Sequence, residues 1–82
     1  MSAAPERDTR AASPVRLRAD IFDELTAKRG ATSDPERAQL VGISKATLFR
    51  WRNRRFTPSL EQAMAVAEQL GTTVDDLFER VA

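Results

Sequence analysis

The most distinctive chemistry in the sequence lies in a run of basic residues between positions 45 and 55. This run has no acidic residue and contains five cations, which are Lys45, Arg50, Arg52, Arg54 and Arg55. Because the net charge of the whole chain is +1, all other residues together carry −4. A concentrated positive patch attracts polyanions and gains free energy when counterions leave their phosphates. The run therefore predicts a phosphate-binding surface, and a solvated basic helix without a partner is the alternative interpretation.

The composition argues against most other chemistry. The 82 residues include no cysteine and no histidine, so the chain lacks the side chains that supply most metal ligands and general bases. We therefore predict that the protein is not an enzyme and uses no metal or cofactor. No segment approaches the roughly 20 apolar residues of a membrane span, and the N-terminus lacks the apolar run of a secretory signal. These features predict a cytoplasmic protein that binds no membrane and, without a sensing domain, no small-molecule ligand.

Apolar spacing and capping signals predict five helices and no strand, which is an all-α fold. The predicted helices cover about residues 15–29, 34–41, 44–54, 60–70 and 74–81. Ser33 and Glu36 form a capping box, and Ser44, Ser59 and Thr73 occupy N-cap positions. These local signals place the basic run on the third helix.

The helices also have predicted buried faces. In the first helix Leu17, Ile21 and Leu25 recur every four residues. The apolar residues at helical spacing in the fourth and fifth helices are Leu60, Ala63, Met64, Ala67 and Leu70, followed by Val74, Leu77, Phe78 and Val81. Residues 1–14 are small, polar and interrupted by proline, so they predict a flexible N-terminal arm ahead of a single domain at residues 15–82.

A turn of about three residues separates the second and third predicted helices, as in helix-turn-helix units. From Ser33 to Phe78 the sequence resembles the Cro/lambda-repressor-like (XRE-like) helix-turn-helix family. The matching positions are Ala38 at the helix crossing, Gly42 in the turn, Leu48 and Trp51 on the buried face of the recognition helix, and the ending Ala67-x-x-Leu70-Gly71. The resemblance implies a five-helix lambda-repressor-like DNA-binding domain. It also implies a sequence-specific transcriptional regulator, either a phage-type repressor or a Cro-like protein. A protein-interaction module on the same fold, antitoxin-like or anti-repressor, is the alternative.

Four positions depart from the pattern of that family, and the loop between Gly30 and Ser33 is one residue longer. Asp34 replaces a glutamine that is usual at the start of the second helix, and Arg37 replaces a common leucine before Ala38. Arg52 replaces a common acidic residue, and Arg54 replaces the glycine that usually ends the recognition helix. With Arg52 in place, an ion pair to the first helix would need reversed charges, with Asp23 or Glu24 as the acidic partner.

A helical wheel at about 100° per residue divides the recognition helix into two sides. Leu48 and Trp51 fall on the inner side and are predicted to join the core. The predicted base-contacting residues lie on the opposite side and are Lys45, Ala46, Phe49 and Arg50. Arginine and lysine can bond to guanine O6 and N7, and apolar side chains can contact a thymine methyl group. For Phe49, packing against the second helix or a partner chain is the alternative.

Residues at the two ends of the same helix are predicted to contact phosphates, and they are Ser44, Arg52, Asn53, Arg54 and Arg55. Neutralising about five phosphates predicts that log K falls against log salt with a slope of about −4 to −5 per monomer. One module offers a small interface, so we expect a homodimer on double-stranded DNA, with half-sites one helical turn apart. Arg7, Arg10 and Arg16 could let the arm reach around the duplex or enter a minor groove, but the acidic Glu6 and Asp8 argue against this.

Overall fold

Within residues 12–81, the part of the chain that the structure describes, five helices and two short strands form an α-helical domain. In this computed structural model the elements are β1 (Val15–Leu17), α1 (Ala19–Ala27), α2 (Asp34–Val41), α3 (Lys45–Arg52), α4 (Leu60–Gln69), α5 (Val74–Leu77) and β2 (Phe78–Arg80). The helix-turn-helix is formed by α2 and α3, as predicted. No helix of this region is long and apolar enough to pass through a bilayer.

The antiparallel ribbon of β1 and β2 corrects the predicted all-α fold. Val15 lies opposite Arg80, and Leu17 lies opposite Phe78. The first helix therefore begins four residues later than predicted, and the last helix ends four residues earlier. Spacing within each segment could not reveal the ribbon, because a three-residue strand is stabilised by hydrogen bonds to a partner at the other end of the chain.

The folded part of the chain begins before residue 15, which corrects the predicted end of the arm. Ser13 is only 5% exposed, and its Oγ lies 2.7 Å from Oγ1 of Thr57. The Pro14 carbonyl accepts a hydrogen bond from the Val81 N–H at 2.9 Å and so lengthens the ribbon. Ser13 and Pro14 therefore belong to the domain.

The rest of the predicted arm, residues 1–11 with Arg7 and Arg10, lies outside the described residues, and so does residue 82. Arg16 was assigned to DNA along with that arm, but it lies in β1. Its Nε donates a hydrogen bond to Oε2 of Glu79 at 2.8 Å, so its charge is engaged within the ribbon.

Hydroxyl side chains begin four of the helices, as the sequence predicts. Ser33, Ser44, Ser59 and Thr73 each accept a hydrogen bond from the backbone N–H three residues later. At Ser33 the Glu36 carboxylate also accepts the backbone N–H, which completes the predicted capping box. Each cap satisfies an N–H group that the helix itself leaves unpaired. These local bonds explain why α2 and α3 begin where they were predicted to begin.

The core is built from one face of each helix, and on α4 this face differs from the predicted one. The core includes Leu17, Phe22, Ala38, Val41, Leu48, Trp51, Ala63, Val66, Ala67, Leu70, Leu77 and Phe78. Leu60 and Met64 were predicted to be buried, but they are 70% and 56% exposed. Two overlapping apolar stripes are present in α4, and the stripe that contains Val66 and Leu70 faces the core.

Candidate nucleic-acid interface

Helix α3, the predicted recognition helix, has one side in the core and one side in solvent. Ser44 caps its first turn, so the helix begins at Lys45. Leu48 is fully buried and Trp51 is 3% exposed. The Trp51 ring meets the Phe78 ring edge-on, with the centroids 5.3 Å apart. This burial agrees with the two sides of the helical wheel.

The solvent side of α3 carries the residues predicted to contact bases. All four of them are exposed: Lys45, Ala46, Phe49 and Arg50. Phe49 is 58% exposed, so the alternative in which its ring packs against α2 is not what the described chain shows. Among residues 12–81, neither Lys45 nor Arg50 forms an ion pair. Their donors can therefore reach an acceptor outside the domain.

Arg52, a predicted phosphate contact, is instead turned towards α1 and α2. Its Nη2 lies 2.6 Å from Oδ1 of Asp23 and 2.8 Å from Oδ1 of Asp34, and its Nε donates to Oδ2 of Asp34 at 3.0 Å. Its guanidinium carbon is also 5.7 Å from the centroid of the Phe22 ring. The Arg52 guanidinium is therefore engaged by two carboxylates, and a phosphate would have to compete with them for its donors.

The same cluster supplies the charge-reversed ion pair between α1 and the recognition helix. Asp23 provides the carboxylate, and Arg37 joins the cluster with Nε 3.4 Å from Asp23 and Nη1 2.8 Å from Asp34. The hydrogen bond from Arg52 lowers the pKa of Asp34, against the opposing effect of partial burial and with help from Arg37. Asp34 therefore joins α2 to α3 instead of facing a phosphate.

The C-terminus of α3 ends in a left-handed turn that glycine usually makes. Arg54 has φ of +54°, whereas the other described positions with positive φ are all glycines, namely Gly30, Gly42 and Gly71. The Arg54 N–H donates to the Trp51 carbonyl at 3.3 Å, and the Arg55 N–H donates to the Arg50 carbonyl at 2.8 Å. This is the pattern of a Schellman motif. Arg54 thus occupies the family's glycine position with the glycine conformation.

The side chain of Arg54, another predicted phosphate contact, is also engaged within the domain. Its Nε and Nη2 donate to the Ser13 carbonyl at 3.0 and 2.8 Å. Among the five cations of the basic run, this leaves three that neither pair with a carboxylate nor bind a carbonyl within residues 12–81: Lys45, Arg50 and Arg55.

The remaining predicted phosphate contacts lie at the two ends of α3 and are exposed. Oγ of Ser44 caps the helix and donates to Oγ1 of Thr47 at 2.9 Å. Nδ2 of Asn53 donates to the Phe49 carbonyl at 2.8 Å. Arg55 extends into solvent just past the helix. These residues flank the outer side of α3.

A comparison with known protein families matches residues 20–79 to the bacteriophage CI repressor helix-turn-helix domain. The chain belongs to this family. A search of curated proteins finds no match. A helix-turn-helix domain of the repressor kind is a DNA-binding domain, and the Cro and lambda-repressor resemblance of the sequence is thereby confirmed.

The family match takes in all the predicted base and phosphate contacts at residues 44–55 but not the start of the ribbon. It begins at Asp20 in α1 and ends at Glu79 in β2. The segment with Ser13 and β1 lies before it. In this CI repressor domain, the contact between Ser13 and Arg54 therefore joins a residue outside the matched range to the end of the recognition helix.

One exposed residue near the recognition helix was missed by the sequence analysis. Phe56 is 58% exposed, and the guanidinium carbon of Arg50 lies 5.0 Å from the centroid of its ring. Phe56 lies beyond the end of α3, so a helical wheel could not place it beside Arg50. Its position directly after the basic run is the one signal that could have drawn attention to it.

Proposed function

We propose that this CI repressor family domain is a sequence-specific transcriptional regulator that reads the major groove of double-stranded DNA with α3. The main support for this proposal is that Lys45 and Arg50, on the solvent side of α3, are exposed and form no ion pair within residues 12–81. In the helix-turn-helix docking mode, the N-terminal part of the second helix of the motif faces the base edges. Repression in the manner of a phage repressor or Cro protein is the regulatory role that we assign.

Each residue of the solvent side has a role in this proposal. Arg50 donates two hydrogen bonds to O6 and N7 of a guanine, and Lys45 donates to the same kind of acceptor with less geometric demand. Ala46 and Phe49 contact a thymine methyl group or a sugar. A good bidentate contact contributes about 1–3 kcal/mol of discrimination against the wrong base.

The phosphate contacts of the proposal are reduced to Ser44, Asn53 and Arg55. Arg52 and Arg54 are left out because their guanidinium groups bind acceptors on other segments of the domain, whereas Ser44 and Asn53 are exposed and donate only to residues of α3 itself. We further propose that the protein binds as a homodimer to two half-sites one helical turn apart, since a single module of this size buries a small interface.

Selection of binding sites from a random duplex pool tests the proposal, because symmetric selected sites would also report the dimer. Arg50→Ala should then relax the base preference at one position of each half-site, while Arg29→Ala should leave it unchanged. Arg29 is a suitable control because it is exposed on the turn after α1, far along the chain from α3, and has no ion pair within residues 12–81. Failure to select any site, or equal behaviour of the two variants, would favour the protein-interaction module instead.

A further inference from the structure

The Arg50 guanidinium lies over the Phe56 ring on the solvent side of the interface. The guanidinium carbon lies 5.0 Å from the ring centroid, which is within the range of a cation–π contact. Phe56 is one of the few large apolar side chains that remain exposed in residues 12–81, with 58% of its surface in solvent. Its ring is therefore not held in place by the core, and its described partner is the arginine.

The backbone around Phe56 is arranged to keep the ring beside Arg50. The Arg55 N–H donates to the Arg50 carbonyl at 2.8 Å as part of the left-handed turn at Arg54. Three residues after Phe56, Ser59 caps α4 by accepting the Gln62 N–H. Phe56 thus lies in a short connection with both ends fixed by hydrogen bonds. A groove lined by Thr47, Arg50, Trp51, Phe56, Thr57, Pro58, Ser59 and Gln62 runs along this connection.

Stacking on a ring restrains an arginine without using its hydrogen-bond donors. The guanidinium places its face against the aromatic ring, and its N–H groups point outward in the guanidinium plane. Arg52 shows the contrast, because its donors are taken by Asp23 and Asp34. A ring beneath Arg50 keeps both its charge and its fork of donors available to a base edge. It also reduces the number of side-chain conformations that binding must exclude.

We infer that Phe56 is a positioning residue that holds the Arg50 guanidinium in the orientation needed to read a guanine. This inference rests on the proposed function and deepens it by adding a specificity-determining residue outside α3. Phe56 acts through Arg50, so its effect on base preference should be absent when Arg50 is absent.

A double-mutant cycle on the duplex selected by the wild-type protein tests this inference. Phe56→Leu should lower the preference for guanine at the Arg50 position about two- to fivefold, which is the range expected for an exposed cation–π contact. Phe56→Tyr, which retains the ring, should restore the preference. In an Arg50→Ala background, Phe56→Leu should have no further effect on that preference. Thermal unfolding of each variant should stay close to that of the wild type, because Phe56 is not part of the core.

The outcomes separate the inference from the proposed function. If Arg50→Ala changes the base preference and Phe56→Leu does not, the inference is wrong and the proposed function stands. If Phe56→Leu weakens binding equally with and without Arg50, the ring contacts DNA directly and the inference is also wrong. If Arg50→Ala itself leaves the preference unchanged, both are overturned.

Discussion

Arg54 holds Ser13 by three hydrogen bonds. Its Nε and Nη2 donate to the Ser13 carbonyl at 3.0 and 2.8 Å, and the Ser13 N–H donates to the Arg54 carbonyl at 2.9 Å. The two residues lie 41 positions apart, so this contact ties the segment before β1 to the end of the recognition helix. Arg54, which was expected to bind phosphate, thus links two distant segments of the domain by hydrogen bonds.

Two substitutions of Arg54 distinguish the effect of its hydrogen bonds to Ser13 from the effect of its left-handed backbone conformation. Arg54→Ala should lower the free energy of unfolding by about 1–2 kcal/mol, because hydrogen bonds to a charged donor are lost. Arg54→Gly loses the same bonds but relieves a left-handed conformation that costs an ordinary L-residue about 1–2 kcal/mol. Urea denaturation should therefore rank the glycine variant above the alanine variant. Equal stabilities, or a less stable glycine variant, would contradict the assigned roles. Arg55→Ala, at the exposed neighbour, is the control and should be nearly neutral.

Arg52 and Arg50 lie on the same helix and should behave in opposite ways. Arg52→Ala leaves Asp23 and Asp34 with Arg37 as their one shared cation and should destabilise the fold by about 1–2 kcal/mol, a value reduced by the partial exposure of both carboxylates. Arg50→Ala should change stability by less than about 0.5 kcal/mol, since it removes an exposed side chain. Urea denaturation measures both effects. If both substitutions lower the free energy of unfolding by a similar amount, the cluster around Arg52 contributes little to stability.

The lowered pKa of Asp34 predicts how the stability depends on pH. The hydrogen bond from Arg52 lowers this pKa below its ordinary value of 3.8, despite partial burial. Since the folded pKa is the lower one, the stabilisation is complete above the unfolded pKa and is lost as the pH falls through the folded pKa. The difference in unfolding free energy between the wild type and Asp34→Asn should be constant above about pH 5 and shrink below about pH 4.

Urea denaturation across this pH range tests the role of Asp34. Asp20→Asn is the matched control, because Asp20 is an exposed aspartate of α1 with no ion pair within residues 12–81. A pH-independent difference for Asp34→Asn, or the same pH dependence in the control, would show that the carboxylate cluster does not carry the effect.

The parts of the fold that the sequence predicts well depend on neighbours in the chain. The capping box at Ser33, the turn at Gly42 and the cap at Ser44 involve residues within a few positions of one another, so the helix-turn-helix could be located from the sequence. The ribbon could not, since its strands lie at opposite ends of the described chain. On α4, the spacing of Leu60 and Met64 satisfies a helical stripe, and only tertiary packing shows that this stripe faces solvent.

In the candidate site, too, features set by nearby residues could be predicted, and features set by residues distant in sequence could not. The helical wheel identified the exposed side of α3 because it needs only the period of the helix. It could not distinguish a free arginine from an engaged one. Arg52 and Arg54 differ from Arg50 through partners that are distant in sequence, namely Asp23, Asp34 and Ser13. Counting the cations of the basic run from the sequence therefore overestimated how many of them are free to bind a ligand.

The salt dependence of DNA binding follows from the number of free cations. Arg55 is the one free cation assigned to a phosphate, and Lys45 and Arg50 bring two more charges into the groove. If all three displace counterions, the slope of log K against log salt should be no steeper than about −3 per monomer, smaller than the −4 to −5 expected for about five neutralised phosphates. Arg55→Ala should flatten the slope by about 1, because one phosphate contact is lost. Arg52→Ala and Arg54→Ala should leave it unchanged, provided that the variants are measured at a temperature where they remain folded. Fluorescence anisotropy titrations of a labelled duplex at several salt concentrations measure these slopes. A wild-type slope near −5 that flattens in either of the last two variants would show that these arginines leave their internal partners when DNA binds.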